Sequence, residues 1–109
     1  MIPEALKQEL KRQCHALGGR FFETEDAMEV GCVVGAPKDF ELTRVSLFKT
    51  GRDEYWIFAA KEWHCTVLFK ASNVGIESVK HGFRIETDRG TLELWRTKGG
   101  TIQVDFRAG

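Results

Sequence analysis

From Pro3 to Leu17 the apolar positions are Leu6, Leu10, Cys14 and Leu17, spaced so that all four fall on one stripe of a helix. The other side of that helix carries Glu4, Lys7, Gln8, Lys11, Arg12 and His15, an acidic start and a basic finish that suit the helix dipole. Pro3 fits a first helical position, and Gly18-Gly19 supplies a left-handed stop. Beyond Gly19 the period changes from helical to two. Met28, Val30, Cys32 and Val34 alternate with less apolar neighbours, and Arg20 to Glu25 forms a shorter strand before them. Phe40–Phe48 and Glu54–Ala60 flank the turn Thr50-Gly51-Arg52-Asp53, which predicts a hairpin, and Glu62–Lys70 follows as another strand.

Residues 72–82 read two ways. Ile76 and Val79 sit a helical turn apart behind Ser72 or Asn73 as caps, whereas Gly75 weakens a helix and favours an irregular loop. The last 27 residues predict a three-stranded meander, Phe83–Asp88, Thr91–Thr97 and Thr101–Arg107. A two-residue Arg89-Gly90 turn pairs Ile85 with Leu94, and a three-residue loop, Lys98 to Gly100, pairs Leu94 with Val104 and Leu92 with Phe106. The expected fold is α+β over a single domain, residues 1–109. An N-terminal amphipathic helix packs on one curved, meander-like antiparallel β-sheet of about six or seven strands, open or partly closed into a barrel.

Composition narrows the function classes. Sixteen basic and sixteen acidic side chains give a formal net charge of zero, so attraction to nucleic acid or an anionic membrane requires a local patch. The chain has no apolar run of bilayer length and no hydrophobic leader at its start, which reads as a soluble, cytoplasmic protein without a membrane partner. Three cysteines at wide spacing suit a reducing compartment better than a disulfide framework.

Two cysteine–histidine neighbours, Cys14-His15 and His64-Cys65, raise the question of a catalytic or metal site. On a regular strand His64 and Cys65 point to opposite faces, and on the helix Cys14 lies on the apolar stripe, about a hundred degrees from His15. All three thiols are expected in the core, where a thiolate is disfavoured. The spacings match no structural metal site, phosphate-binding loop or dinucleotide fingerprint, so no metal, cofactor or catalytic residue is assigned.

The remaining candidates lie on the polar face of the C-terminal meander. The register above puts Arg84, Trp95 and Gln103 on one rung with Arg107 diagonal to Trp95, and puts a row of carboxylates, Glu86, Glu93 and Asp105, on the next. A tryptophan beside arginine on an outer face has the composition of an interface anchor. The first expectation is therefore a non-enzymatic interaction protein, of inhibitor, immunity or adaptor type. It binds a protein partner through the Trp95 face or self-associates as a dimer. A second is a small-molecule-binding protein or small enzyme with a pocket between helix and sheet lined by Tyr55, Trp56, Trp63 and His64. A third is RNA or single-stranded DNA binding by Trp95, Arg84, Arg107 and the basic helix face of Lys7, Lys11, Arg12 and His15.

Overall fold

A computed structural model of the chain describes residues 2–35, 42–61 and 64–109, without the side chains of 64–68. One helix, α1 (Glu4–Ala16), precedes strands β1 (Arg20–Glu23), β2 (Glu29–Gly35), β3 (Leu42–Gly51), β4 (Glu54–Lys61), β5 (His64–Ala71), β6 (Val74–Val79), β7 (Gly82–Thr87), β8 (Gly90–Arg96) and β9 (Ile102–Ala108). The fold is α+β and every pairing is antiparallel, but the expectation of one sheet with fewer strands is corrected. The strands divide into a five-stranded meander, β1 to β5, and a four-stranded meander, β6 to β9. No helix among the described residues is long and apolar enough to cross a membrane.

The break falls at Ser72-Asn73, where the backbone leaves β5 and enters β6. Both backbone N–H groups there donate to Asp88 Oδ1, at 2.8 and 3.0 Å, so a carboxylate from the β7–β8 turn holds the corner between the sheets. The segment that follows is a strand, neither of the two conformations expected for 72–82. Ile76 pairs with Ile85 across the ladder and packs against the core, and the tertiary partner overrides the weak helical spacing.

Helix α1 forms as its stripe predicts. Leu10 and Cys14 are fully buried and Leu17 nearly so, while Leu6 packs at the edge of the same cluster. The helix touches β1 and β2 of one sheet and β6 and β7 of the other. One buried cluster thus runs from the helix through Val30, Val34, Val45, Leu47 and Ile57 to Phe83, Ile85, Leu92 and Leu94. At its C-terminus the chain turns through Gly18 at φ 83°, and Arg96 from β8 donates to the Leu17 carbonyl at 2.8 Å, satisfying a helix-end acceptor from the second sheet.

Cys14 and Cys32 do point inward, and they point at each other. They form a disulfide between α1 and β2 with a Cα–Cα separation of 5.7 Å. The expectation of three free core thiols is corrected, and the argument from free thiols to a reducing compartment loses its premise.

The meander registers divide. The β8–β9 hairpin has the expected three-residue loop, with Leu94 opposite Val104, Leu92 opposite Phe106 and Trp95 opposite Gln103. In the β7–β8 hairpin Ile85 pairs with Leu92 and Glu86 with Thr91, two residues away from the expected register. The turn is Asp88-Arg89. Thr87 Oγ1 accepts from the N–H groups of Arg89 and Gly90, at 3.0 and 2.9 Å, and closes it. Gly90 is a strand residue chosen for close approach, because a Cβ there would sit 2.6 Å from the Arg107 carbonyl oxygen and 3.2 Å from Phe69.

Candidate functional site

The two-residue shift preserves which side chains face outward and changes which of them meet. Arg84 lies between Glu77 on β6 and Glu93 on β8, and Glu93 lies opposite Asp105 on β9, so the outer rung reads Glu77, Arg84, Glu93, Asp105. The expected rung of Arg84 with Trp95 and the expected row of three carboxylates are both corrected. Glu86 pairs with Thr91, and Gly82 is the β7 residue opposite Trp95.

Arg84 is committed. Its Nε and Nη2 donate to Glu93 at 2.9 and 2.7 Å, and Nη1 reaches Glu77 at 2.7 Å and Glu86 at 3.2 Å. The hydrogen bonds from Glu93 first, then from Glu77 and Glu86, raise the guanidinium pKa above its ordinary value. Arg107 is highly exposed and approaches Asp105 at 3.8 Å. Trp95 is half-buried and lines a recess with Val79, Lys80 and Glu93. Gln103 beside it is exposed. Arg84, Glu86, Thr91, Glu93, Asp105 and Arg107 surround a shallow crevice of about 310 Å³. This face gathers the expected residues, but its acids and its central arginine largely satisfy each other.

The basic helix face is similarly occupied. Lys7 pairs with Glu4 and Glu23, each at 2.9 Å, Arg12 pairs with Glu9, and Lys11 lies 5.9 Å from the Phe21 ring centroid. His15 is exposed. Of the four residues expected to line an interior pocket, the two whose side chains are described, Tyr55 and Trp56, do not share a face. Tyr55 is buried in the core, whereas Trp56, its neighbour on β4, faces outward. Trp63 lies outside the described residues, as does the side chain of His64. The regular alternation assumed along 62–69 is interrupted by a register shift of β5 opposite Ile57 and Phe58.

Trp56 belongs to a surface that the sequence reading missed. Since Val45, Leu47, Tyr55 and Ile57 point into the core, the alternate residues of β3 and β4 face out, and several of those are aromatic. Phe48, Trp56 and Phe58 form a triangle with ring centroids 6.2 to 6.5 Å apart, in tilted and edge-on arrangements that aromatic quadrupoles favour. Phe22 on β1 extends the cluster across Gly31 on β2. A side chain at Gly31 would collide with the Phe22 ring, so glycine is what lets that ring lie flat on the sheet. Leu42, on the same outward parity of β3, is 56% exposed.

Ser46 sits beneath this surface, opposite Gly31 on one side and Phe58 on the other. It is fully buried although it is on the outward parity, and its hydroxyl has no hydrogen-bond partner among the described residues. An orphaned buried hydroxyl costs stability, and here the side chains above the sheet keep water away from it.

The Trp56 ring is fixed on several sides. Its indole N–H donates to Glu54 Oε1 at 2.9 Å, and the Lys70 ammonium stands 4.8 Å from the ring centroid. Thr50 Oγ1 donates to the same Glu54 oxygen at 2.8 Å, and the bonds from Trp56 and then Thr50 hold the Glu54 carboxyl below the usual carboxylate range. A run of apolar residues with both parities, Tyr55-Trp56-Ile57-Phe58-Ala59-Ala60, was the available signal, because only a strand contacted on both faces needs one.

No family model matches the chain, and neither a curated protein nor a solved structure is detectably similar to it.

Proposed function

We propose that the protein is a non-catalytic interaction module that engages a protein partner through the outer face of the β1–β5 sheet. The observation that carries this reading is the outward cluster of Phe48, Trp56 and Phe58, with the Trp56 ring already oriented by Glu54 and Lys70. A solvent-facing sheet side is ordinarily polar, and a contiguous aromatic patch there marks a contact surface. Aromatic side chains held in their bound geometry lose little freedom on association, which is why tryptophan and tyrosine dominate binding hot spots.

The Trp95 face supports a second, weaker reading of the same class, in which its acidic crevice receives basic side chains of a partner. Its support is the local excess of Glu77, Glu86, Glu93 and Asp105 over Arg84 and Arg107. That excess disfavours phosphate binding there, and the pairing of Lys7 and Arg12 with glutamates weakens the nucleic-acid alternative further.

The two faces are separated by affinity capture from host extract using wild type, Trp56→Thr, Phe58→Thr and Trp95→Ala. Folding of each variant is checked by near-ultraviolet circular dichroism. The proposal expects a partner retained by wild type and Trp95→Ala and lost by both threonine variants. Loss with Trp95→Ala alone would transfer the function to the acidic face, and recovery by all four would remove both faces from it.

A further inference from the structure

We infer that the occupant of the outer face is a second copy of this chain, in a face-to-face two-fold dimer; this rests on the reading of that face as a contact surface. The argument is the charge pattern of one rung. Glu29, Phe48, Trp56 and Lys70 lie side by side across β2, β3, β4 and β5, with an acid at one end, a base at the other and two aromatic rings between them. The Glu29 carboxylate has no partner among the described residues, and Lys70 is exposed above Trp56. Three strand spacings of about 4.8 Å separate the two charges by roughly 14 Å.

A two-fold axis lying between two such faces and running parallel to the strands reverses the rung. It sets Glu29 against the partner's Lys70 and Lys70 against the partner's Glu29, while Phe48 meets the partner's Trp56. The rung is therefore complementary to itself, as an isologous interface requires. The rotation brings the two sheets together face to face, the arrangement in which sheets pack with strands about 30° apart. A chain of zero net charge meets no long-range repulsion from its own copy.

The size of the face sets the expected strength. Four spacings between five strands and strand lengths near seven residues give a face on the order of 500 Å² per protomer. Stable complexes bury about 800 Å² per partner, so the dimer belongs to the weak, micromolar class.

Sedimentation velocity over roughly 1 to 500 µM, a range that brackets an interface of this size, tests the inference. Wild type should move with concentration from the 12.4 kDa monomer toward twice that mass. Glu29→Lys or Lys70→Glu, which each turn both symmetry-related attractions into repulsions, should weaken association by about tenfold. Glu29→Lys combined with Lys70→Glu restores the pairs and should bind more tightly than either single reversal, short of wild type only by the lost contact of Lys70 with the Trp56 ring. These are surface changes, so the outcome does not depend on an aromatic variant that fails to fold.

A monomer at every concentration, or a dimer indifferent to the single reversals or not rescued by the double, overturns the second copy as occupant. If the monomer still captures a partner in a Phe58-dependent way, the contact surface stands with a different chain on it; if capture is also indifferent to Phe58, the reading of the face falls too.

Discussion

The covalent link between α1 and β2 makes the most quantitative prediction. Cys14 and Cys32 are 18 positions apart and both fully buried. Closing a loop of that length in the unfolded chain removes conformational entropy equivalent to about 3 kcal/mol at 25 °C. With a urea dependence of about 1.5 kcal/mol per molar, reasonable for a chain of this size, the link should hold the unfolding midpoint about 2 M higher than in its absence. Urea unfolding is to be followed by far-ultraviolet circular dichroism with and without reductant, on wild type and on Cys14→Ala/Cys32→Ala. Reductant should lower the wild-type midpoint by about that amount and leave the double variant unmoved. Thiol titration in denaturant supplies an independent count: of the three cysteines two are paired, so one thiol should react before reduction and three after. Three reactive thiols without reductant, or a wild-type midpoint that ignores reductant, would refute the pairing.

Three further outcomes test the described contacts. Ser46→Ala removes a buried hydroxyl that has no partner among the described residues and should stabilise the fold by up to about 1 kcal/mol; destabilisation by more than that in urea would show that the hydroxyl is hydrogen-bonded. Arg84→Ala leaves Glu77, Glu86 and Glu93 without their shared cation, and its lowered urea midpoint should recover toward wild type as salt rises to about 1 M. An equal deficit at low and high salt would assign the loss to packing. The Glu54 carboxyl has a folded pKa below its ordinary 4.5, so its bond to Trp56 is fully present above that value and is lost as pH falls through the lower one. The indole N–H resonance of Trp56 should titrate with a midpoint below 4.5, and Glu54→Gln should abolish the movement. A midpoint at or above the ordinary value would contradict the geometry.

Where a single pattern constrained the chain, the sequence was legible. The stripe of Leu6, Leu10, Cys14 and Leu17 can face a core in only one way, and α1 follows it. The β8–β9 loop was readable because a two-residue turn would have mixed the faces. For β7–β8 the same test had no power: registers two residues apart keep Ile85 and Leu92 on the core side, and parity alone cannot choose between them. Gly90 drew the turn toward itself, although its role is close approach to β9. The division into two sheets depends on Asp88 reaching back to Ser72 and Asn73, a contact without local signature. Parity placed Cys14 and Cys32 inward correctly, but which thiols meet is a fact of how the helix lies on β2.

The outer aromatic face was missed because aromatic residues in a strand were assigned to an interior. Tyr55 and Trp56 cannot both line one cavity on a regular strand, and once Tyr55 is committed to the core Trp56 must face out. The two sheets then differ in how they treat their outer sides. The β6–β9 side ties three of its carboxylates to Arg84, whereas the β1–β5 side leaves rings half-exposed and a hydroxyl sealed beneath them. The Ser46 hydroxyl, unpartnered among the described residues, costs an isolated chain stability, and the half-exposed rings leave part of their apolar surface in water. On the proposed reading they serve association by keeping the outer face rigid, and β2 would contribute to that from within. Its core side is tied to α1 through Cys32, and its outer side carries Glu29 and the glycine on which Phe22 rests. A platform anchored in this way has little conformational freedom left to lose when its outer face is covered.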